Sequence, residues 1–121
     1  MSIEARRGEI WLAALGASRL GELGKTRPVL ILTPDWAAPQ EPTDRLLVAP
    51  LSASRGPSAL RVRVPASRTI ERDSVVVCDA AGAVAASRLI KRLGMATPDV
   101  VAATTRIVVG LVGGPRDLPL G

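Results

Sequence analysis

The chain has 121 residues, 47% of them hydrophobic, and a formal charge of +5 from 16 Lys and Arg against 11 Asp and Glu. This size and apolar content predict a single domain over residues 1–121 with a buried core, not a disordered basic tail. The chain has no His, Tyr or Phe and one cysteine. Within one chain this excludes histidine acid–base catalysis, Cys/His nucleophile pairs, zinc sites of His or several Cys, and internal disulfides.

Fourteen of the 16 basic residues are arginine, and they are scattered along the chain. Arginine binds phosphate through a planar fork of donors, so a polyanionic partner is one interpretation. A basic, solvated surface is the other, and charge alone favours it. No apolar stretch approaches the roughly 20 residues of a membrane span, and the N-terminus is not typical of a signal peptide. We therefore expect a cytoplasmic protein with no membrane partner.

Short β-rich segments make up most of the chain. Apolar runs and alternation predict strands over residues 8–13, 27–33, 45–51, 60–64, 74–78 and 91–95. Three prolines in segment 34–44 predict a long loop without regular structure, and segment 80–86 stays unassigned. In the fourth strand, Arg61 and Arg63 alternate with apolar residues, which predicts a half-exposed strand whose arginines face solvent.

The C-terminal segment changes to helical spacing. Thr97 can cap a helix, Pro98 suits its first position and Asp99 complements the dipole. Apolar residues then recur at intervals of three and four until two glycines and a proline end the helix, which spans about 97–113. Five to seven strands followed by one amphipathic helix predict an α+β, mainly β protein: a small, bent antiparallel sheet or barrel closed by that helix.

Two groups of segments carry a family resemblance. The first comprises RGEIW (7–11), GE (21–22), KTRPVLIL (25–32) and VAPLS (48–52). The second comprises SVVVCD (74–79), SRL (87–89) and KRLG (91–94), before the closing helix. Their order and spacing over residues 6–113 resemble the MazF/PemK family of toxins of type II toxin–antitoxin systems.

The resemblance implies an SH3-like barrel that forms a homodimer and cleaves single-stranded RNA without a metal or other cofactor. It also implies a small acidic antitoxin that wraps the dimer and blocks the RNA site. The family's catalytic arginine falls on Arg27, its acidic residue on Glu22, and its hydroxyl residue, usually Thr, on Ser52.

This chain departs from the family pattern after the fifth strand. The family often has Gln, Arg, Thr and Asp where Ala80, Gly82, Ala83 and Ala85 stand, and PemK-like members have Arg in place of Val77. Polar contacts near the site are therefore fewer. This affects the expected substrate preference and rate, and leaves the predicted fold unchanged.

RNA supplies its own nucleophile, the ribose 2′-OH, so cleavage needs donors for the developing phosphorane charge, a proton acceptor and a proton donor. Arg27 suits charge stabilisation and proton donation to the leaving 5′-oxygen, because a guanidinium stays protonated. Glu22, in a glycine-flanked loop, is the candidate proton acceptor or RNA-positioning residue, or else a solvated loop acid. Ser52 can donate to a phosphate oxygen, or is an ordinary turn residue.

Four further residues form the predicted RNA-binding set. Lys25 and Thr26 precede Arg27 on the same segment, and Lys25 is placed to hold phosphate or simply to be solvated. Trp36 is a candidate for stacking on a base or covering the dimer site. Asp79 matches a family acid, with a structural hydrogen bond to backbone as the alternative. Cys78 is expected to be a buried, inert thiol.

Two other functions compete with RNA cleavage. One is a CcdB-like, non-enzymatic toxin that binds DNA gyrase. The other is a catalytically idle module that binds RNA or an antitoxin. The Arg27-Pro28 pair together with Ser52 favours cleavage, since a gyrase binder needs no phosphate-directed arginine. The small residues at Ala80 and Gly82 keep the idle module open.

Overall fold

Seven antiparallel strands and one helix make up the computed structural model, which describes residues 4–16 and 25–115. The strands are β1 (Glu9–Ala14), β2 (Thr26–Ile31), β3 (Arg45–Ser52), β4 (Arg61–Val64), β5 (Ser74–Val77), β6 (Gly82–Ala85) and β7 (Leu89–Met95). The helix α1 spans Pro98–Leu111. The mainly β, α+β prediction is confirmed.

The strands form one sheet in the order β4-β5-β3-β2-β1-β7, and β6 also pairs with β3. Among the pairings of the described residues, none joins β4 to β7, so the ends of the sheet are not hydrogen-bonded into a closed barrel. Instead α1 packs against β4 and covers one face of the sheet. The Thr97 hydroxyl caps α1 by accepting the Val100 N–H at 3.3 Å, as predicted.

The predicted elements agree with the structure to within two residues, and two segments differ. Segment 34–44 contains a short 3-10 helix, Asp35–Ala37, where no regular structure was expected. Segment 80–86, which was unassigned, contains β6. The small residues of β6 have weak strand propensity, and its structure comes from pairing with β3, from Arg45↔Ala85 to Val48↔Gly82.

Alternation along the central strands separates two apolar clusters. On the helix-side face, Leu30 and Leu51 pack with Val76 and with Val100 of α1. On the opposite face, which we call the far face, Val29, Ile31, Leu46, Val48, Ala13 and Leu89 form a second buried cluster. The far face is thus apolar and buried around β1, β2 and the first half of β3. Polar groups such as Ser52 lie on this face at the end of β3.

Residues 7–11, the first segment of the family resemblance, link several elements of the fold through hydrogen bonds. The Arg7 guanidinium donates from Nη1 to the Leu32 carbonyl at 2.7 Å and from Nη2 to the Thr105 hydroxyl at 2.6 Å. Arg7 therefore ties the start of β1 to the chain after β2 and to the middle of α1. Gly8, with φ of 90°, takes the left-handed conformation that this turn requires.

Glu9 is buried, and its carboxylate accepts three hydrogen bonds. The Arg6 N–H donates at 2.6 Å, the Trp11 indole at 3.1 Å and the Arg92 guanidinium at 2.5 Å. Burial acts to raise the pKa of Glu9, but the bonds from Arg6, Arg92 and Trp11 outweigh it and hold the pKa below its ordinary value. The carboxylate links the N-terminal turn to β7.

The only helix of eight or more residues in the described part of the chain is α1. No helix there is long and apolar enough to cross a membrane.

Candidate nucleic-acid interface

Ser52 lies in a row of residues that crosses three strands. It pairs with Val75 of β5, and Val75 pairs in turn with Arg63 of β4. Directly paired residues of an antiparallel sheet share a face, and neighbouring strands are about 4.8 Å apart, so the Arg63 Cα lies about 10 Å from the Ser52 Cα. A cationic side chain therefore stands two strands from Ser52 on the far face.

Arg27 approaches the same row from the other side of β3. The β2–β3 register runs from Ile31↔Val48 to Val29↔Pro50. Arg27 and Ser52 each lie two residues beyond its last pair, near the start of β2 and at the end of β3. Arg27 is half-buried and precedes Pro28, whose ring restricts it to the extended conformation of the strand. The two residues therefore occupy the same end of adjacent strands, on the same face.

Ser52 is 2% exposed and lies beneath the exposed Ser54. Its Oγ accepts the Ser54 N–H at 3.3 Å and lies 3.2 Å from the Ser54 hydroxyl. With its Oγ accepting that N–H, Ser52 keeps its own proton for another acceptor. Because Ser52 is buried, the atoms around its hydroxyl must move before a phosphate oxygen can reach it.

Lys25 and Thr26 lead into Arg27. Lys25 has φ of 60°, its N–H donates to the Gly16 carbonyl at 2.5 Å and its carbonyl accepts the Leu15 N–H at 2.8 Å. These bonds join the two ends of segment 17–24. Thr26 is exposed and begins β2, and alternation places it on the opposite face from Arg27. Glu22, the predicted proton acceptor, lies outside the described residues.

Asp79 and Trp36, both predicted to bind RNA, lie in different parts of the fold: Asp79 follows β5, and Trp36 follows β2. Asp79 is exposed and lies in the 3-10 helix Cys78–Ala80, directly after β5 and two residues beyond Val77, the partner of Arg61. Trp36 is 89% exposed and lines a cavity of about 1010 Å³ with Met95 and the start of α1. It follows the end of β2 that is farther from Arg27. The structure brings Arg27, Ser52 and the β5 strand together and leaves Trp36 apart.

A second cavity, of about 440 Å³, lies one strand from Ser52, since Val75, the register partner of Ser52, lines it. It is lined by the three arginines Arg55, Arg61 and Arg63, with Asp73, Ser74, Val75 and Pro57. Arg63 is exposed, as the alternation predicted, whereas Arg61, also predicted to face solvent, is half-buried and donates to the Gly56 carbonyl. The sequence did not predict that Arg55, three residues after Ser52, lies in the same cavity as the β4 arginines. The alternating Arg-Val-Arg of β4 was a signal for Arg61 and Arg63, and no local pattern was a signal for Arg55.

Cys78 contributes no thiolate chemistry. Its side chain is buried, and burial raises the pKa of the thiol to about 11. The prediction of a buried thiol is confirmed. Residues 4–16 and 25–115 contain no group of three or more His, Cys, Asp or Glu side chains that could hold a metal ion.

Residues 6–109 match the model of the PemK-like, MazF-like toxins of type II toxin–antitoxin systems. The chain belongs to this family. The MazF-mt6 toxin of Mycobacterium tuberculosis is 25% identical, with a TM-score of 0.70 over 88% of this chain and 98% of its own. MazF of Deinococcus radiodurans is 22% identical, with a TM-score of 0.78 over 93% and 99%. An endoribonuclease from a mycobacterial species, solved with its cognate antitoxin, is 18% identical, with a TM-score of 0.71 over 95% and 99%.

For a MazF/PemK toxin, the end of the sheet near β6 carries few polar groups. Ala80 and Ala83 are exposed where the family often has polar side chains, and Val77 is buried at the position of the PemK arginine. In this chain a guanidinium stands next to that position, on Arg61 of β4, the register partner of Val77.

Proposed function

We propose that this toxin is an endoribonuclease that cleaves single-stranded RNA, mRNA included, without a metal, by attack of the ribose 2′-OH on the adjacent phosphate, and so inhibits translation and growth. The observation that supports this most is the placement of Arg27 and Ser52 at the same end of neighbouring strands, on one face. That arrangement offers a guanidinium and a hydroxyl to one phosphate group.

In this proposal Arg27 stabilises the charge that develops on the phosphorane oxygens and supplies a proton to the leaving 5′-oxygen. A positioned donor of this kind contributes about 10²–10³ in rate. Ser52 donates its hydroxyl proton to a phosphate oxygen once the atoms around its hydroxyl move. Glu22 accepts the 2′-OH proton or positions the RNA.

The remaining residues have binding roles. Lys25 and Asp79 flank the site at the ends of β2 and β5. Thr26, on the opposite face from Arg27, contacts the RNA where the RNA passes the start of β2. Trp36 stacks on a base at a distance from the cleaved bond, since it lies beyond the other end of β2. Base stacking on an exposed indole tolerates many sequences.

We also propose a cytoplasmic homodimer that is inhibited by a small acidic antitoxin. Ile90 and Met95, each 54% exposed, lie on β7, the strand at one end of the sheet. Exposed apolar residues on an end strand favour association with a second subunit. The mycobacterial relative solved with its antitoxin supports that partner. Sedimentation at micromolar concentration should give a dimer, and a 12.6 kDa species would contradict this.

Controlled expression in bacteria separates the candidate functions. Wild-type protein should arrest growth and fragment cellular RNA, and Arg27→Ala should do neither at equal protein level. Arrest with double-strand DNA breaks and intact RNA would point to gyrase binding. Growth without arrest or RNA fragmentation at high expression would favour the idle module, which the buried Ser52 and the exposed Ala80 and Ala83 would then explain.

A further inference from the structure

The arginines of the second cavity, which we call the arginine groove, have few opposing charges. Arg55 and Arg63 are exposed and Arg61 is half-buried. Asp73 is the only carboxylate that lines the groove, and its Oδ1 accepts the Ala66 N–H at 2.8 Å. Within the described residues, no carboxylate oxygen lies within 4.0 Å of these three guanidinium groups, since the only ion pairs there are Arg6–Asp35 and Arg92–Glu9.

Arg61 fixes the shape of the groove. Its Nη1 donates to the Gly56 carbonyl at 2.7 Å, which ties the loop after Ser52 to β4. The Leu60 carbonyl accepts the Cys78 N–H at 3.0 Å at the other end of the loop. With Gly56 held in this way, the preceding Arg55 lines the same cavity as Arg63. Two exposed arginines therefore border one concave surface.

The groove adjoins the proposed site of cleavage through Val75, which lines the groove and is the register partner of Ser52. Arg63 lies in the row that passes through Val75 to Ser52, and Arg55 follows Ser52 by three residues. A polyanion that places one phosphate at Ser52 therefore passes the groove if it continues across β5 and β4. Guanidinium groups bind phosphate oxygens in pairs, so a phosphodiester backbone held at Ser52 can place a further phosphate at Arg63.

We propose that the arginine groove binds the phosphodiester backbone of the RNA strand on one side of the cleaved bond, with Arg55 and Arg63 as phosphate ligands. This rests on the proposed function and adds to it a binding subsite two strands away from Ser52. The contacts are to backbone, so they raise affinity for any single strand and leave the choice of sequence to other residues.

The test measures binding of a single strand that cannot be cleaved. A mixed-sequence, fully 2′-O-methylated RNA, labelled with a fluorophore, is titrated with wild-type protein, Arg55→Ala/Arg63→Ala, and the control Arg45→Ala/Arg68→Ala at several KCl concentrations. Arg45 and Arg68 are exposed and do not line the groove, and each double variant removes two positive charges. Folding is checked by circular dichroism.

The groove variant should bind about 25-fold more weakly than wild type at 0.1 M salt, and its slope of log Kd against log salt should fall by about 1.4, because each single-strand phosphate contact contributes about 0.7 to the slope. The control should keep the wild-type slope. Equal slopes for the two variants would overturn the groove proposal, whether or not the wild type cleaves RNA. The same proteins are also titrated with labelled polyglutamate. If the groove variant loses binding to polyglutamate and keeps wild-type binding to RNA, the groove binds an acidic polypeptide and the proposal is overturned. Cleavage of ordinary RNA, measured separately, tests the proposed function.

Discussion

Glu9→Gln should destabilise the fold in a way that depends on pH. The substitution keeps the size of the side chain and removes the charge that the Arg6 N–H, the Trp11 indole and the Arg92 guanidinium bind. Hydrogen bonds to a charged group contribute about 1.5–3 kcal/mol and neutral ones about 0.5–1.5 kcal/mol. The Arg92 side chain is 48% exposed, so solvent replaces part of its bond.

The expected loss at pH 7 is therefore about 2 kcal/mol in the free energy of unfolding. For a chain of this length it corresponds to a fall of about 8 °C in Tm. The folded-state pKa of Glu9 lies below the ordinary value of 4.5. Its contribution to stability is complete above that ordinary value and is lost as the pH falls through the folded-state pKa. The gap between wild type and Glu9→Gln should accordingly close in acid.

Thermal unfolding followed by circular dichroism at pH 7, 5, 4 and 3 measures this gap. Protein concentration is held constant, because subunit association would shift Tm. Glu71→Gln, at an exposed glutamate, is the control and should change Tm little. A gap that stays constant from pH 7 to pH 3, or an equal effect of Glu71→Gln, would show that the charge of Glu9 does not stabilise the fold.

Three further predictions concern packing and the site. Gly94→Ala should lower the free energy of unfolding in urea by about 1–3 kcal/mol, because an added Cβ would clash with the Thr69 hydroxyl and lie 2.8 Å from its Cγ2. The control Gly82→Ala should be tolerated, because its added Cβ meets open space. Thr69→Gly should restore the stability of Gly94→Ala. Cys78, whose thiol pKa is about 11, should resist iodoacetamide at pH 8 in the folded protein and react in urea, and rapid labelling without urea would contradict the buried thiol. Ser52→Ala should lower the RNA cleavage rate by about 10²-fold with a small change in Tm, and an unchanged rate would remove Ser52 from the mechanism.

Most of the fold could be predicted because its elements are marked locally. β1 to β5 and β7 have apolar runs or alternation, and α1 has a cap, a proline at its start and glycines at its end. β6 could not be predicted in this way. Its small side chains, from Gly82 to Ala85, give little periodicity, and its conformation depends on pairing with β3, which is remote in sequence. The 3-10 helix around Trp36 is likewise a local turn in a loop without periodicity.

The candidate site, too, was predicted only where its residues are marked locally. The family resemblance identified Arg27 and Ser52, and each lies at the end of a predicted strand. Their placement at the same end of neighbouring strands, and the row from Ser52 to Arg63, follow from strand pairing and register, which no local pattern encodes. Arg55 was missed for the same reason, since it joins the groove only through the folding of its loop against β4.

In the proposed mechanism, Arg27 supports RNA cleavage through the 2′-OH. The most direct measurement incubates the purified protein, with chelator present, with a long single-stranded RNA and with a DNA of the same sequence, alongside Arg27→Ala. We predict cleavage of the RNA, none of the DNA, and a loss of about 10²–10³-fold in rate in the variant. Equal cleavage of the DNA, an unaffected variant, or no cleavage of RNA by the wild type at protein excess would contradict the claim.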